Sequence, residues 1–349
     1  MKKILLLTLI VVLAFSVLAC SDAPSGQEGG VGGSAVIGSS ARSSSGSATG
    51  PASPVTGLRG VGDYRPIQVQ IDNEATGRPQ YGIQDADVVY EALIEGADTR
   101  LSAIYNDILP EKVGPVRSSR VYFQYIQNEW DSIYVHDGGP FVEAWPQSYI
   151  YSNENGGDMK VRIDGTRQTD NKMLWHQSVS IAYANLKEVL NQKSYQRTKR
   201  NPMFKFDEKV DYSKYQSFNK VDIPFTGSAG DNQVEYTYNK SIDKLIRSNY
   251  GQPFLDATTK KAVEVQNVIV QYVKVTPLAA GEGGRILLGM IGSGKADFFI
   301  GGKHMTGTWQ KTDRDAGTVY KLSDGSDLVL KPGNTWIELQ PDSKTITVG

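Results

Sequence analysis

Cysteine is almost absent from this chain of 349 residues, in which Cys20 is the only one. A single cysteine cannot form an intramolecular disulfide, and it cannot supply the several thiolates of a cysteine-based zinc site. Cys20 follows an N-terminal apolar run, where we expect it to be modified, so no thiol nucleophile remains. The sequence therefore excludes the cysteine-dependent wall-crosslinking enzymes.

Histidine is also scarce, since the chain contains only His136, His176 and His304. A zinc site would need His136 and His176 together with a carboxylate, such as Asp137 or Asp164. Three scattered histidines rarely form such a site. We therefore predict no metal and no cofactor.

Complete catalytic motifs are missing as well. There is no Gly-x-Ser-x-Gly elbow and no His-Glu-x-x-His helix. Residues 289–295 have the glycine and lysine spacing of a phosphate-binding loop, but Ala296 replaces the hydroxyl residue that would hold magnesium. A strand-like run follows instead of a helix, so we interpret this segment as a glycine-rich turn.

The chain has no excess of charge of either sign, with 37 basic and 38 acidic residues. Nucleic-acid-binding domains usually carry a basic excess on one face. The basic residues at 193–200 form a local group, which we interpret as a solvated connector. The composition therefore predicts no nucleic-acid partner.

Long hydrophobic runs are limited to the N-terminus, where Lys2 and Lys3 precede an apolar run over residues 4–18 and Ala19 precedes Cys20. This run is short for a transmembrane helix and typical of a secretory signal core. The segment resembles a bacterial lipoprotein signal, which predicts a signal peptide over 1–19 and a lipid on Cys20. An ordinary signal peptide or an uncleaved anchor is the alternative. The expected location is the outer face of the bacterial cytoplasmic membrane, with the lipid as the membrane contact.

The segment after Cys20 lacks an apolar pattern. Residues 21–60 contain ten glycines and ten serines, and this composition cannot bury enough surface to offset chain entropy. Residues 20–60 are therefore predicted to be a lipidated cysteine followed by a disordered linker.

The remaining chain predicts an α+β protein with two domains. Residues 61–206 mix strand-like runs, such as 88–94 and 101–105 around a hairpin, with a helical spacing of Tyr122, Phe123, Ile126 and Trp130. This pattern indicates a mixed α/β N-terminal domain. Residues 207–225 are polar and irregular, and we interpret them as a connector.

Helical signals fade after the connector. Residues 226–349 alternate short strands with glycine-rich turns, which predicts a smaller β-rich, mainly antiparallel C-terminal domain. Trp309 and Trp336 occur in similar triplets, and we expect both to fill one core.

Residues 114–120, Gly-Pro-Val-Arg-Ser-Ser-Arg, are the most suggestive segment for function. Ser118 or Ser119 is positioned to cap a following helix, where Arg117 and Arg120 would join the helix amides in binding an anion. The alternative is structural: these arginines pair with acidic residues of the preceding hairpin, namely Glu91, Glu95 or Asp98. The two interpretations can coexist.

An ordered series of motifs resembles the YerB-like lipoprotein family over residues 60–349. The motifs are Arg65-Pro66, Ile71-Asp72-Asn73, Arg78-Pro79-Gln80, Ala86-Asp87-Val88-Val89-Tyr90-Glu91, Glu95-Gly96, Thr99-Arg100, Gly114-Pro115-Val116-Arg117-Ser118, His136-Asp137-Gly138-Gly139, Asn267-Val268-Ile269-Val270, Gly307-Thr308-Trp309 and Gly333-Asn334-Thr335-Trp336. Trp175 and Gln177 depart from the Pro-His-Asn pattern that the family has around His176. The resemblance implies lipid anchoring and a two-domain body, without an assigned activity. With the arginine segment, it gives these candidate ligand-binding residues: Arg100, Arg117, Ser118, Arg120, His136 and His176.

Two functions are compatible with these observations. The first is a non-enzymatic binding or scaffold lipoprotein for an anionic or peptide-like cell-envelope ligand or protein partner. The alternative is a hydrolase or transferase acting on wall or lipid-linked polymers, with His136 or His176 as general base and the arginines stabilising anionic charge. A closed, salt-bridged arginine region without a cleft would argue against ligand binding there.

Overall fold

The computed structural model describes residues 50–62, 65–136, 182–193, 204–226, 233–278 and 283–349. Cys20, the signal sequence and His176 lie outside these residues. None of the described helices is long and apolar enough to cross a membrane.

Strands dominate the first half of the described chain. They are β1 (Ile67–Asp72), β2 (Val88–Leu93), β3 (Thr99–Tyr105), β4 (Val113–Val116), β5 (Ile133–Val135) and β6 (Ala182–Ala184). The two described helices are α1 (Val121–Trp130) and α2 (Leu186–Lys193).

The second half consists of strands in the described residues. They are β7 (Lys205–Phe206), β8 (Gln216–Ser217), β9 (Lys220–Pro224), β10 (Gln233–Asn239), β11 (Lys244–Asn249), β12 (Gln252–Pro253), β13 (Glu264–Val265), β14 (Asn267–Val273), β15 (Val275–Pro277), β16 (Ile286–Leu288), β17 (Gly292–Ile300), β18 (Lys303–Lys311), β19 (Val319–Leu322), β20 (Val329–Leu330), β21 (Thr335–Pro341) and β22 (Thr347–Val348). The second half of the glycine-rich segment, from Gly292, is the start of β17, so it is a strand rather than the expected turn. No helix follows it, which agrees with the interpretation that it is not a phosphate-binding loop.

One large sheet draws its strands from both halves of the chain. Its order is β19-β18-β17-β14-β21-β2-β3-β1-β4-β6, with β5 beside β1 and β8 beside β18. Strand β21 lies between β14 and β2 and runs parallel to both. The last long strand of the chain therefore joins the halves through backbone hydrogen bonds.

Two apolar layers cover the two faces of this sheet. Helix α1 and the β15–β16 hairpin pack on one face, around Tyr90, Ile337 and Phe298. Strands β9, β10 and β11 of a six-stranded sheet, and helix α2, pack on the other face. Trp309 belongs to the first layer and Trp336 to the second, so the expectation that both fill one core was wrong.

The fold is mainly β, which corrects the expected α/β N-terminal domain. The helix around Tyr122 and the strand pair β2–β3 are confirmed, and their hairpin has a short 3-10 turn over Glu95–Ala97. Strands β1, β2, β3 and β4 nevertheless pair antiparallel, so they need no crossover helices. The predicted antiparallel character of the second half is confirmed for β10–β11 and β17–β18.

Two segments expected to be irregular are ordered. In the predicted connector, residues 220–224 form β9, and Val221 and Ile223 are buried under the large sheet. At the end of the predicted disordered linker, the hydroxyls of Ser53 and Thr56 donate to the Asp107 carboxylate at 2.7 and 2.5 Å. A buried carboxylate that needs donors thus fixes a segment whose composition alone favours disorder. The positions of the domain boundaries stay a prediction.

Candidate functional site

The register of four strands brings the candidate residues to one end of β1. Arg100 of β3 lies opposite Asp72, and Val116 of β4 lies opposite Ile71. Strand β5 runs parallel to β1, so His136 follows the strand pair at the same end. Because side chains alternate along β1, its apolar residues pack on one face and its polar residues, including Asp72, share the other face with α1. We call Arg100, Arg117 and Arg120 the arginine cluster.

Arg120, and not a serine, precedes helix α1 at the cap position. It has extended backbone angles and makes no side-chain cap, so the predicted capping by Ser118 or Ser119 was wrong. Its guanidinium donates to the Ser119 carbonyl at 2.7 Å and to both oxygens of Glu95, with Nε at 2.9 Å from Oε2. Burial alone would raise the pKa of Glu95, but the hydrogen bond and charge of Arg120 outweigh it and lower that pKa.

Arg117 pairs with a residue outside the acidic hairpin. Its Nε and Nη2 lie 2.9 and 2.8 Å from Asp72 Oδ2, and the Asp72 carboxylate is buried. The backbone N–H of Arg117 donates to the Gln70 carbonyl at 2.9 Å, which fixes the residue beside β1. The expected pairing of Arg117 with Glu91, Glu95 or Asp98 is therefore corrected to Asp72.

Arg100 is the cation of the cluster without a carboxylate at hydrogen-bond distance among the described residues. It is 6% exposed, and its Nη1 donates to the Ser118 carbonyl at 2.8 Å. Its Nε has no hydrogen-bond partner in the part of the chain that the structure describes. Burial first, and the charge of Arg120 second, lower the pKa of Arg100 to about 10.

Polar groups surround the cluster. The Tyr134 hydroxyl donates to Ser119 Oγ at 2.8 Å, and the rings of Tyr134 and His136 lie 4.8 Å apart between centroids. Gln70 is fully buried on the polar face of β1, and within the described ranges neither atom of its amide has a partner. Burial raises the pKa of Tyr134, so its hydroxyl stays protonated and can donate.

The three acidic candidates have different roles. Glu95 pairs with Arg120, as expected for the ion-pair interpretation. Asp98 closes the hairpin, where its carbonyl accepts from the Ile94 N–H at 2.8 Å. Glu91 points to the opposite face of the sheet and pairs with Arg247 at 2.6 Å, which corrects its assignment to the cluster.

A buried group of charges between the two sheets escaped sequence reasoning. We call Glu91, Arg247, Glu338 and Tyr236 the interlayer centre. Arg247 lies 2.6 Å from Glu91 and 3.3 Å from Glu338, and the Tyr236 hydroxyl donates to Glu338. All four side chains are buried. The two-residue spacing of Leu245 and Arg247 was the available signal, since side chains two apart in a strand share one face.

Two carboxylates share one guanidinium in this centre. Glu338 lies opposite Glu91 across the parallel pair β2–β21. Burial first, and the charge of Glu91 second, raise the pKa of Glu338 to about 8 despite Arg247. Arg247 also lies 4.5 Å from the Phe254 ring centroid and 4.6 Å from that of Trp336, at cation–π distance.

The chemistry available at the arginine cluster is anion binding. Three guanidinium groups lie near only two carboxylates, Asp72 and Glu95, among the described residues. Glu95 is 27% exposed, so the cluster borders solvent on that side. No group of three or more His, Cys, Asp or Glu side chains that could hold a metal occurs within the described ranges.

Comparisons with known proteins place the chain in a family. The model for the N-terminal domain of a protein of unknown function, DUF3048, matches residues 55–197, and the model for its C-terminal domain matches residues 221–337. The chain belongs to the DUF3048 family. A curated DUF3048 relative from Bacillus subtilis (strain 168), "Putative lipoprotein YerB", is 32% identical over 298 residues, covering 83% of this chain and 86% of the relative.

A solved structure shows the same family fold. The crystal structure of the YerB protein from Bacillus subtilis is 30% identical, with a TM-score of 0.70, covering 85% of this chain and 99% of that chain. The resemblance to the YerB-like family is thus confirmed, and the relative's name agrees with the lipoprotein prediction.

Proposed function

We propose that this DUF3048 protein is a lipid-anchored extracytoplasmic protein that binds an anionic group of a cell-envelope ligand at the arginine cluster. The observation that carries the proposal is the buried Arg100 guanidinium, which donates to a carbonyl but has no carboxylate at hydrogen-bond distance among the described residues. A buried charge without a counter-charge is costly, so the site favours an added anion.

The charge balance supports an anion rather than a neutral ligand. Among the described residues, Asp72 and Glu95 each neutralise one arginine, which leaves one positive charge in this part of the cluster. Guanidinium groups bind carboxylate and phosphate through paired hydrogen bonds.

The two ion pairs of the cluster differ in how strongly they would compete with a bound anion. Arg117 and Asp72 are almost fully covered, and they hold the cluster in place. Glu95 is partly exposed, and a bound anion would compete with it for Arg120. The anion would therefore contact Arg100 and Arg120, while Arg117 acts in positioning.

The lipid anchor accounts for location rather than binding. The Cys20 signal and the lipoprotein name of the relative support a protein held at the outer face of the cytoplasmic membrane. The catalytic alternative requires a general base at the cluster. It stays a prediction, because His176 lies outside the described residues.

Titration calorimetry with inorganic pyrophosphate tests the proposal on the full chain in detergent. Arg100→Met should weaken binding by about 10- to 100-fold, since a hydrogen bond to a charged group contributes about 1.5–3 kcal/mol. Glu95→Gln should strengthen binding, because it removes the competing anion. Arg65→Met is the matched control, since Arg65 precedes the opposite end of β1 and pairs with Asp131.

Two results would contradict the proposal. The first is absence of pyrophosphate binding to the wild-type chain at low ionic strength. The second is an equal loss for Arg100→Met and Arg65→Met, which would show a general effect of net charge.

A further inference from the structure

A pocket lies at one end of the large sheet, where β14 and β21 end and β17 begins. Its volume is about 680 Å³, and its walls come from β14, β17, β18 and the turn after β21. No residue of the arginine cluster or of the interlayer centre lines it. Pockets that bind small ligands are typically about 300–1,000 Å³ in volume, so this one has the size of a ligand site.

Three lysines line this pocket, namely Lys274, Lys295 and Lys344. Lys274 and Lys295 are exposed and Lys344 is half-buried, so a ligand can reach them from solvent. Within the described ranges, none of their ammonium groups forms an ion pair or a hydrogen bond. The pocket therefore brings together three cations whose charge and hydrogen-bond donors are available.

Two carboxylates also line the pocket, but they do not cancel this charge. Asp297 Oδ1 lies 2.6 Å from His304 Nε2, and the Tyr272 hydroxyl donates to the same carboxylate. Asp297 is therefore held by partners other than the lysines. Asp342 is exposed and makes no ion pair with a described lysine. Three ammonium groups and two carboxylates leave a net positive charge in the pocket.

The backbone of β17 completes the polar lining. Residues 292–295 pair with β18, whereas the pairing of β17 with β14 begins only at Ala296. Since backbone N–H groups point alternately to the two edges of a strand, some of those in 292–295 face away from β18. Gly292 and Gly294 line the pocket without side chains, so the surface that they contribute is backbone. Hydrogen-bond donors of the main chain thus lie beside the lysines.

One wall of the pocket is apolar. Ile291 is 45% exposed, which is unusual for a large apolar side chain in this protein, and the half-buried Tyr272 ring lies in the same lining. The pocket therefore suits a ligand that joins an anionic group to an organic part.

We infer that this pocket binds a phosphate ester, with the lysines and the β17 backbone around the phosphate and Ile291 beside the organic part. Lysine binds phosphate as a point charge, without the paired geometry that a guanidinium imposes. The segment does not act as the nucleotide-binding loop whose spacing it shares, because a strand takes the place of the helix. The inference goes beyond the proposed function, since it rests on different residues.

Titration calorimetry with sn-glycerol 3-phosphate tests the inference on the full chain in detergent at low ionic strength. We expect saturable binding of this probe and no binding of glycerol, which lacks the phosphate. Lys274→Met with Lys295→Met should weaken binding by about fivefold for each lysine removed, the upper range for an exposed ion pair. Lys240→Met with Lys261→Met is the matched control, since both lysines are exposed and lie outside the pocket.

A second variant tests the pocket without changing its charge. Ser293 is exposed and lines the pocket, so Ser293→Trp should narrow the pocket and weaken binding of the probe while Tm stays unchanged. Unchanged binding in both this variant and the Lys274/Lys295 pair would place the phosphate elsewhere and overturn the inference.

Two envelope sources share this chemistry, the headgroup of an anionic phospholipid and a soluble polyol phosphate. The lipidated chain in nanodiscs distinguishes them when the probe is titrated against discs of phosphatidylcholine alone, with phosphatidylglycerol, or with oleate. Weaker probe binding with phosphatidylglycerol than with oleate supports the lipid headgroup, because oleate supplies negative charge without phosphate. Equal binding in these two discs supports the soluble phosphate ester.

The remaining outcomes separate this pocket from the arginine cluster. Arg100→Met should leave binding of the glycerol phosphate unchanged, and it should still weaken pyrophosphate binding when Lys274 and Lys295 are both methionine. Three results would overturn the inference: no saturable binding by the wild type, an equal loss in the control pair, or a loss in Arg100→Met without one in the Lys274/Lys295 pair.

Discussion

The interlayer centre makes a specific prediction about stability and pH. The pKa of Glu338 is raised from 4.5 to about 8 in the folded chain, so folded Glu338 keeps a proton that the unfolded chain releases. The folded state then binds more protons than the unfolded state between these pH values. Its contribution to stability is fully present below pH 4.5 and is lost as the pH rises towards 8.

The expected magnitude follows from the size of the shift. Each pH unit within the interval changes the free energy of unfolding by about 1.4 kcal/mol, which comes to about 5 kcal/mol over the whole interval. Glu338→Gln replaces the protonated carboxyl with a neutral amide of similar shape. The variant should therefore gain stability relative to the wild type as the pH rises from 5 to 8.

Urea denaturation followed by tryptophan fluorescence at several pH values measures this difference. Subtracting wild type from variant removes the titration of the shared groups that lie away from the interlayer centre. Glu264→Gln is the control, because Glu264 pairs with Lys244 at a partly exposed site, where an ion pair contributes about 1 kcal/mol or less. A wild-type-to-variant difference that is flat between pH 5 and 8 would show that the folded pair of Glu91 and Glu338 holds no extra proton in this range, and the reasoning would fail.

Three further predictions concern other parts of the chain. Gly307→Ala should destabilise the fold by about 1–3 kcal/mol or more in urea denaturation, because its Cβ would overlap the Lys321 carbonyl oxygen of the neighbouring strand. Gly289→Ala is the control and should be tolerated, because its Cβ would meet only ordinary contacts at 3.5 Å. Lys311→Met should lower the free energy of unfolding by about 3–5 kcal/mol in the same assay, since it leaves the buried Glu129 carboxylate without the ammonium group that lies 3.0 Å away. A decrease below about 1 kcal/mol would contradict this. Cys20→Ala should move the protein from the membrane to the soluble fraction, or leave an unprocessed precursor, because it removes the site of the lipid. The Tm of the folded part should not change. Cleaved variant protein in the membrane fraction would show that another part of the chain contacts the membrane.

Local elements of the fold could be predicted because their signals are local. The apolar spacing around Tyr122 and Ile126 predicts α1, and the β-rich runs on either side of Glu95 predict the β2–β3 hairpin. The position of β21 could not be predicted in the same way. Parallel pairing of β2 and β21 joins residues far apart in sequence, and an apolar run does not specify its partner strand.

Only part of the candidate site could be predicted from the sequence. The pairing of Arg120 with Glu95 is one of the expected alternatives, and these residues are 25 positions apart, nearer in sequence than the other ion pairs of the two buried groups. Arg117 pairs with Asp72, and Glu91 with Arg247, because strand register decides which side chains meet. Glu91 belongs to the acidic hairpin in sequence, but the alternation of β2 turns it to the opposite face of the sheet from Arg120.

The two faces of the large sheet are linked at the end of β1. Asp72 and Asn73 are neighbours in sequence, and alternation sends Asp72 to Arg117 on one face and Asn73 to Glu91 on the other, where Asn73 Nδ2 lies 3.0 Å from Glu91 Oε1. Arg78 binds the same Asn73. The arginine cluster and the interlayer centre therefore share one short, buried segment. A ligand site supported in this way is preorganised, since its side chains are already ordered by contacts that the ligand does not have to provide.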